Sequence, residues 1–494
     1  MHRWLRNKLF SHKNAKAFGV FRMMILGVGI ALSTSSCDRN TIANDEDMIS
    51  DDGFMTIALQ LPYQGALTYA EEAGVGDEVK ISTVTVVFFS TTDDKVVEFV
   101  DFSAGTPGDL TISGATVMTK PIRLKKEDYD VVVLINKPSS LLFIKDITTK
   151  TDFETAVTVS LDDLTSTTGF FMANATGYKR FFSFNFRPTE TASSAAPVSI
   201  KVERAVAKVV VMAGSSMPVT GGMVNKDDIY WAVDIKNTRM YWMRKQARRL
   251  IYDGSDWVPG PIATESDFTS VGRDYLYAED PNFTGHTTTT GFVKLTAGDI
   301  THNLSAVSSP GAGYVAEYVP ENTMQAEDQF RNVTTSVVLK LVYIPDGITD
   351  AETVGYYIYN RNIAISNADM KIYAADHANI PSSLPDLGDL LDEYSVDLTI
   401  TPTASFTFKN LSFYSKGLNY YNIPIRHFMM QNTLMGYGRY GIVRNTVYQL
   451  TLTAIKTPGY TAPDLQEWED DSESYLSVDF NIAPWYVRNQ GIDL

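Results

Sequence analysis

Val447-Tyr-Gln-Leu-Thr-Leu-Thr-Ala-Ile455 alternates apolar and polar residues and is rich in β-branched and aromatic side chains. Period-two alternation predicts a strand with Tyr448, Leu450 and Leu452 on one face. Just upstream, Gly436-Tyr-Gly-Arg-Tyr-Gly441 fits a G-x-G-x-x-G pattern. A dinucleotide site needs that pattern to open a helix, so that pyrophosphate meets the helix N-terminus. Here the strand-like run Ile442–Ile455 follows, so the glycines read as a hairpin loop. Downstream, Lys456–Asp464 is turn-rich. Glu467-Trp-Glu-Asp-Asp-Ser-Glu473 is acidic but lacks the spacing of a calcium loop.

The same pattern recurs outward from this stretch. Met55-Thr-Ile-Ala-Leu-Gln-Leu61, Val84-Thr-Val-Val-Phe-Phe89 and Val478-Asp-Phe-Asn-Ile482 read as strands. Asp130-Val-Val-Val-Leu-Ile-Asn136 and Ala207-Lys-Val-Val-Val-Met212 read as strands buried on both faces. Helical pattern is confined to Asp152–Leu164 and Leu384–Tyr394. The expectation is an all-β chain of sandwich type with short helical insertions. A boundary is placed near Gly214, where a strand run ends in Gly, Ser and Pro, giving 54–213 and 214–494 as two domains.

The N-terminus has a different character. Met1–Arg22 carries six basic residues and no acid. The apolar run Met23–Leu32 follows, then Ser33-Thr-Ser-Ser-Cys37. This is the order of a signal peptide, residues 1–36. Its apolar run is shorter than the roughly 20 residues that span a bilayer. The Ser36-Cys37 junction resembles a bacterial lipobox, in which the cysteine is acylated and becomes the mature N-terminus. Thr34 stands where a lipobox usually has Leu. The competing reading is an ordinary secretory peptide ahead of an unrelated cysteine. Residues 37–53 are polar and read as a flexible tether.

Net charge is −16; without the six positive charges of the leader the remainder stands at −22. That balance argues against a phosphate-neutralising nucleic-acid binder. Cys37 is the only cysteine, so no disulfide holds the fold and a packed core must. The mature histidines are His286, His302, His377 and His427, none in metal-ligand spacing. No G-x-S-x-G elbow is present. Paired carboxylates distant in sequence leave no motif, but nothing supports a catalytic site. The chain is read as a non-enzyme without cofactor or metal.

The two end strands carry the functional signal. Met55, Ile57, Leu59 and Leu61 share one face of the first strand. The linker Pro62–Asp77 follows it. At the other end, the apolar face Leu476, Val478, Phe480 and Ile482 shifts register at Pro484 and continues with Trp485 and Val487. Proline cannot donate to a ladder, so a bulge or break is expected there. An apolar strand-forming tail beyond a completed sheet is an aggregation liability unless something receives it. Two readings stand: Trp485–Leu494 packs back on its own domain, or it adds to another subunit.

As an ordered set, several segments resemble the Bacteroidales fimbrillins, shaft subunits of type V pili, and among them the major subunit of the short fimbriae. They are the lipobox and tether; Phe54–Pro62; Gly74-Val-Gly-Asp77; Ile81–Phe89; and Ser199-Ile-Lys-Val-Glu-Arg-Ala-Val-Ala-Lys-Val-Val210. Asp228-Ile-Tyr-Trp-Ala-Val233, Met240-Tyr-Trp-Met243, Gly417–Ile423, Val443-Arg-Asn445 with Tyr448, and Pro484-Trp485 complete the set. The likeness is firmest over Lys416–Trp485.

The resemblance implies two transthyretin-like β-sandwich domains and export as an outer-membrane lipoprotein. It implies removal of the first strand by a protease cutting the following loop, around Tyr69, Ala70 and Glu71. It implies that a neighbour's C-terminal strand fills the vacated groove, with Trp485, Val487 and Ile492 as donor anchors. The implied partners are other fimbrial subunits (copies of itself, anchor and tip proteins) and host or bacterial surface ligands. Relatives are cut at an arginine, yet no Lys or Arg occurs between Arg39 and Lys80. A subunit that keeps its first strand would instead be an anchor at the fibre base, or an accessory subunit. A surface lipoprotein that binds glycan or protein without polymerising is the reading from another class.

Overall fold

The computed structural model describes residues 51–62, 76–155, 157–214, 216–252, 254, 257–262, 276–282, 291–303, 305–306, 315–324, 328–329, 333–427, 439–463 and 476–484. Asp51–Leu494 forms one compact unit. The chain is all-β, and among the described residues only short helices lie between its strands.

The first sheet has nine strands. From one edge the order is Val96–Ser103, Thr83–Ser90, Tyr129–Ile135, Met172–Asn174, Val198–Arg204, Ile57–Gln60, Thr116–Thr119 and Leu110–Ser113, with Lys179–Phe181 also paired to Tyr129–Ile135. Thr83–Ser90 and Tyr129–Ile135 are buried along nearly their whole length. Continuous runs of β-branched residues make this possible, because both pleat faces are apolar. One face of Thr83–Ser90 (Val84, Val86, Phe88) packs on a core with Met55, Ile57 and Leu59. The other (Val87, Phe89) packs on a second core with Phe143, Phe153 and Trp242.

The chain changes sheets at Ala205. Val198–Arg204 belongs to the first sheet, whereas Val206–Ala213 lies between Ala316–Pro320 and Thr446–Ile455 in a five-stranded sheet. The strand ending at Gly214 therefore pairs with elements of the C-terminal half. The switch comes eight residues before Ala213, the last residue assigned from sequence to the N-terminal half. A second five-stranded sheet contains Tyr230–Asp234, Ser336–Pro345 and Leu418–Pro424. Between these two sheets lies a core with Val209, Val211, Trp231, Leu339, Tyr421 and Leu450.

The helical expectation needs one correction. Asp152–Leu164 is not one helix. Two single turns, Lys150–Phe153 and Leu161–Leu164, are each capped from outside, by Thr149 and Ser160. Between them Val157–Thr158 pairs with Arg239–Met240. Capping hydroxyls and a strand pairing outcompete helix propensity here. Leu387–Glu393 forms within the second predicted stretch. The longest helix described, Asn367–Ala375, was not expected; Ser366 caps it through the Asp369 N–H.

Candidate functional site: the seat of the first strand

The predicted first strand is two short strands, Asp52–Met55 and Ile57–Gln60. Thr56 is the joint. Before it, Asp52–Met55 pairs antiparallel with Ile122–Lys125. After it, Ile57–Gln60 runs parallel to Val198–Lys201 and antiparallel to Thr116–Met118. Thr56 Oγ1 lies 3.0 Å from Ser193 Oγ, and the Ile57 N–H donates to Thr119 Oγ1 at 3.2 Å. These bonds satisfy buried polar groups that the change of partner would otherwise orphan.

Met55, Ile57 and Leu59 are each at most 1% exposed and face Val84, Val131 and Ile200. Leu61 packs against the same core from its margin, and its N–H donates to the Ala115 carbonyl at 3.0 Å. Met55, Ile57, Leu59 and Leu61 thus come together as one apolar row. The segment is an interior strand: without it, Val198–Arg204 and Thr116–Thr119 face each other across an open slot.

The chain re-enters at Gly76–Glu78, and Glu78 fixes the re-entry. Its carboxylate meets Lys208 Nζ at 3.0 Å, with both side chains 2% exposed, and accepts from Tyr318 Oη at 2.5 Å. Arg204 Nε donates to the Glu78 carbonyl at 2.9 Å. Burial of Arg204 pulls its guanidinium down to about 10 against the opposing pull of Glu78 and Tyr318. Between exit and re-entry a cavity of about 170 Å³ is lined by Leu61, Pro62, Val79, Ile81, Met172 and Arg204, among others.

Arg204 adjoins a buried charge array that sequence reasoning missed. Arg244 forks onto Glu203 with bonds of 2.9 and 2.7 Å, and Arg444 meets Glu321 at 3.0 Å. Arg444 also donates to the carbonyls of Tyr241 and Trp242, while Asn445 N–H donates to Val206 at 2.9 Å. Period-two reading assigns such charges to solvent. The available signal was the adjacent pair Glu203-Arg204 inside an apolar run.

At the other end, Leu476–Pro484 pairs antiparallel with Thr446–Ile455, from Pro484 opposite Thr446 to Leu476 opposite Ile455. It is the edge strand of its sheet, and among the described residues no strand pairs with its outer side. The ladder shift lies at Leu452/Ala454, opposite Val478/Ser477. Ser36, Cys37, Tyr69, Ala70, Glu71, Trp485, Val487 and Ile492 lie outside the described residues.

The described histidines are scattered. His302 lies 3.6 Å from Glu317, His377 lies 3.9 Å from Asp392, and buried His427 Nδ1 sits 2.7 Å from Tyr448 Oη. Among the described residues no group of three or more His, Cys, Asp or Glu could hold a metal. Nor is any described helix long and apolar enough to cross a membrane. After Gly441 the chain enters the strand Thr446–Ile455, not a helix.

Residues 412–491 match the family model described as major fimbrial subunit protein type IV, fimbrillin, C-terminal. The likeness to that family model is confined to this stretch of the chain. That stretch holds Leu418–Pro424, Thr446–Ile455 and the edge strand Leu476–Pro484, where the sequence likeness was firmest. No curated protein matches the chain.

Solved structures similar to it include a putative cell adhesion protein from Parabacteroides distasonis. That match has 14% identity and TM-score 0.44, covering 89% of this chain and 99% of that one. A fimbrilin (fimA) from Porphyromonas gingivalis matches at 13% identity and TM-score 0.40, covering 88% and 99%. The tip fimbrial protein Mfa3 from Porphyromonas gingivalis matches at 12% and 0.36, covering 88% and 100%.

Proposed function

We propose that this protein is a structural subunit of a surface fimbrium, exported as a lipoprotein acylated at Cys37 and joined to its neighbours by strand exchange. The match of residues 412–491 to the fimbrillin C-terminal model supports the fimbrial role. One observation carries the exchange: the first strand occupies an interior slot of its sheet, yet the chain leaves that slot at Pro62 and re-enters elsewhere at Glu78. A cut around Tyr69–Glu71 would free the piece that runs from Cys37 to the cut, with its lipid and the first strand. The slot vacated by Met55, Ile57, Leu59 and Leu61 would take an apolar strand from a second copy, anchored by Trp485, Val487 and Ile492. Its supply is the tail that follows the edge strand Leu476–Pro484. We further propose two domains, joined across the Glu203–Arg244 pair and the shared core of Phe143, Phe153 and Trp242.

The absence of Lys and Arg between Arg39 and Lys80 favours a second reading. If no protease cuts this loop, the subunit donates its tail but receives none, and remains as a lipid-bearing foot of the fibre in the outer membrane. Deleting Trp485–Leu494 tests the exchange: SDS-resistant ladders surviving the deletion would end it. N-terminal sequencing of surface material separates the two roles. A start near Tyr69–Gly74 marks a shaft subunit, and a blocked, acylated Cys37 marks an anchor.

A further inference from the structure

Phe182 and Phe184 form the most conspicuous aromatic feature on the described surface. Their rings stack at 5.2 Å with 7° between planes, yet they are 41% and 70% exposed. The turn that displays them is rigid. Phe182 N–H donates to Asn185 Oδ1 at 2.8 Å, Asn185 N–H returns to the Phe182 carbonyl at 2.8 Å, and Ser183 N–H donates to Asp128 Oδ1 at 2.8 Å. A folded chain gains nothing internally by fixing two apolar rings in water, so their use lies in what they meet.

The turn sits where the described chain begins. Phe54 and Arg187 exchange two backbone bonds of 2.8 Å, and Arg187 reaches back to the Phe184 carbonyl. Gly53 passes so close that a Cβ on it would stand 2.7 Å from Phe186 Cβ. Lys126 N–H donates to the Asp51 carbonyl, so the Lys126–Asp128 loop touches both the start of the chain and the aromatic turn. Only residues 38–50 separate Asp51 from Cys37. Thirteen residues reach at most about 45 Å even fully extended.

We propose that Phe182 and Phe184 contact the bilayer surface while the protein is tethered through Cys37, holding the body of the subunit against the membrane; this rests on the lipoprotein reading above. The occupant is lipid because the short tether brings a bilayer to this end of the molecule and the two rings carry no polar group to direct a specific partner. Phenylalanine rings are among the side chains that interfacial segments bury at the headgroup/acyl boundary. Of the neighbouring cations, Arg123 pairs with Asp52 at 3.2 Å and Lys125 with Glu127 at 2.5 Å, while the Arg187 guanidinium stands on the Phe184 carbonyl beside the rings.

The test uses the full-length acylated protein carrying Phe184→Cys, which adds one free thiol once Cys37 is blocked. A nitroxide on that thiol is read in phosphatidylethanolamine/phosphatidylglycerol vesicles, with a label at Ile400→Cys, 63% exposed, as the reference. The expected result is a severalfold rise in collision with oxygen and a severalfold fall in collision with a water-soluble nickel chelate at 184 only. Adding Phe182→Ser should restore much of the nickel collision. Intact mass of the same sample reports acylation. An acylated protein whose 184 label stays in water overturns the proposal and leaves the lipoprotein reading standing; an unacylated Cys37 overturns both. Concentration-dependent spin broadening at 184 in the Cys37→Ser chain without vesicles would overturn it in favour of contact between copies.

Discussion

The first strand can be cut loose by design. The perturbation is a recognition sequence for a site-specific protease inserted between residues 63 and 75 of the unacylated chain. Met55, Ile57 and Leu59 are at most 1% exposed. Burying each is worth about 1.5–3 kcal/mol, so the row holds roughly 5–9 kcal/mol before ladder bonds are counted. Each ladder bond adds about 0.5–1.5 kcal/mol net. That total rivals the whole stability of an ordinary domain, about 5–15 kcal/mol. The cut protein should therefore keep its N-terminal piece through native gel filtration, and its melting temperature should become concentration-dependent. Stripping the piece with mild denaturant should leave a core that binds a hydrophobic dye. Adding a synthetic 476–494 peptide should restore the melt. The reasoning is refuted if the piece dissociates on cutting and the remainder melts as before, since the strand would then contribute little.

Four other outcomes follow from the buried polar groups and one glycine. Arg244→Met leaves Glu203 buried without its fork and should cost about 3–5 kcal/mol in urea unfolding, much of it recovered by adding Glu203→Leu. Glu78→Ala removes the partner of Lys208 and should destabilise by a similar amount; equal midpoints would show that the re-entry is not pinned there. Gly169 has φ +123°, and a Cβ there would stand 2.2 Å from the Lys80 carbonyl. Gly169→Ala should lower stability by at least about 2 kcal/mol in the same assay.

His427 supplies the pH dependence. Burial first, then the Arg244 charge, pulls its pKa from 6.5 down to about 3. Between those values the unfolded chain binds a proton that the folded chain does not. Its stabilisation is thus complete above about 6.5 and is lost as pH falls towards 3, by about 3 kcal/mol at pH 4. Asp280, whose buried carboxyl is pushed well up by desolvation, works in the opposite direction. The test is therefore the difference in slope between wild type and His427→Gln over pH 4–7; identical slopes would refute it.

The strands were legible where one physical rule governs them. Val447–Ile455, Asp130–Asn136 and Val84–Phe89 appear within a residue or so as Thr446–Ile455, Tyr129–Ile135 and Thr83–Ser90. Alternation or continuous apolarity is a local property, and burial enforces it. The row Met55, Ile57, Leu59, Leu61 was legible for the same reason, though its interior place in the sheet was not. That place depends on Val198–Lys201, about 140 residues on in the sequence. The sheet switch at Ala205 escaped because Val198–Arg204 and Val206–Ala213 read as nearly continuous strand. Only their partners, Met172–Asn174 on one side and Ala316–Pro320 on the other, separate them.

The two sides of the 63–75 loop are held by different chemistry. Ile57–Gln60 is retained by backbone ladders and apolar side chains, with side-chain hydroxyl bonds around Thr56 and one from Ser199 Oγ to the Ala58 carbonyl. Such a seat accepts any strand of suitable size and alternation, because neither ladder bonds nor apolar burial discriminates strongly between sequences. Glu78 is retained by Lys208, Tyr318 and Arg204, a seat that only a carboxylate on this backbone satisfies. If the loop is cut, the piece before it can be exchanged and the piece after it cannot. The new N-terminus would then stay clamped through Glu78 to Lys208 and Tyr318. The slot between Val198–Arg204 and Thr116–Thr119 would keep its walls while it waits for a strand.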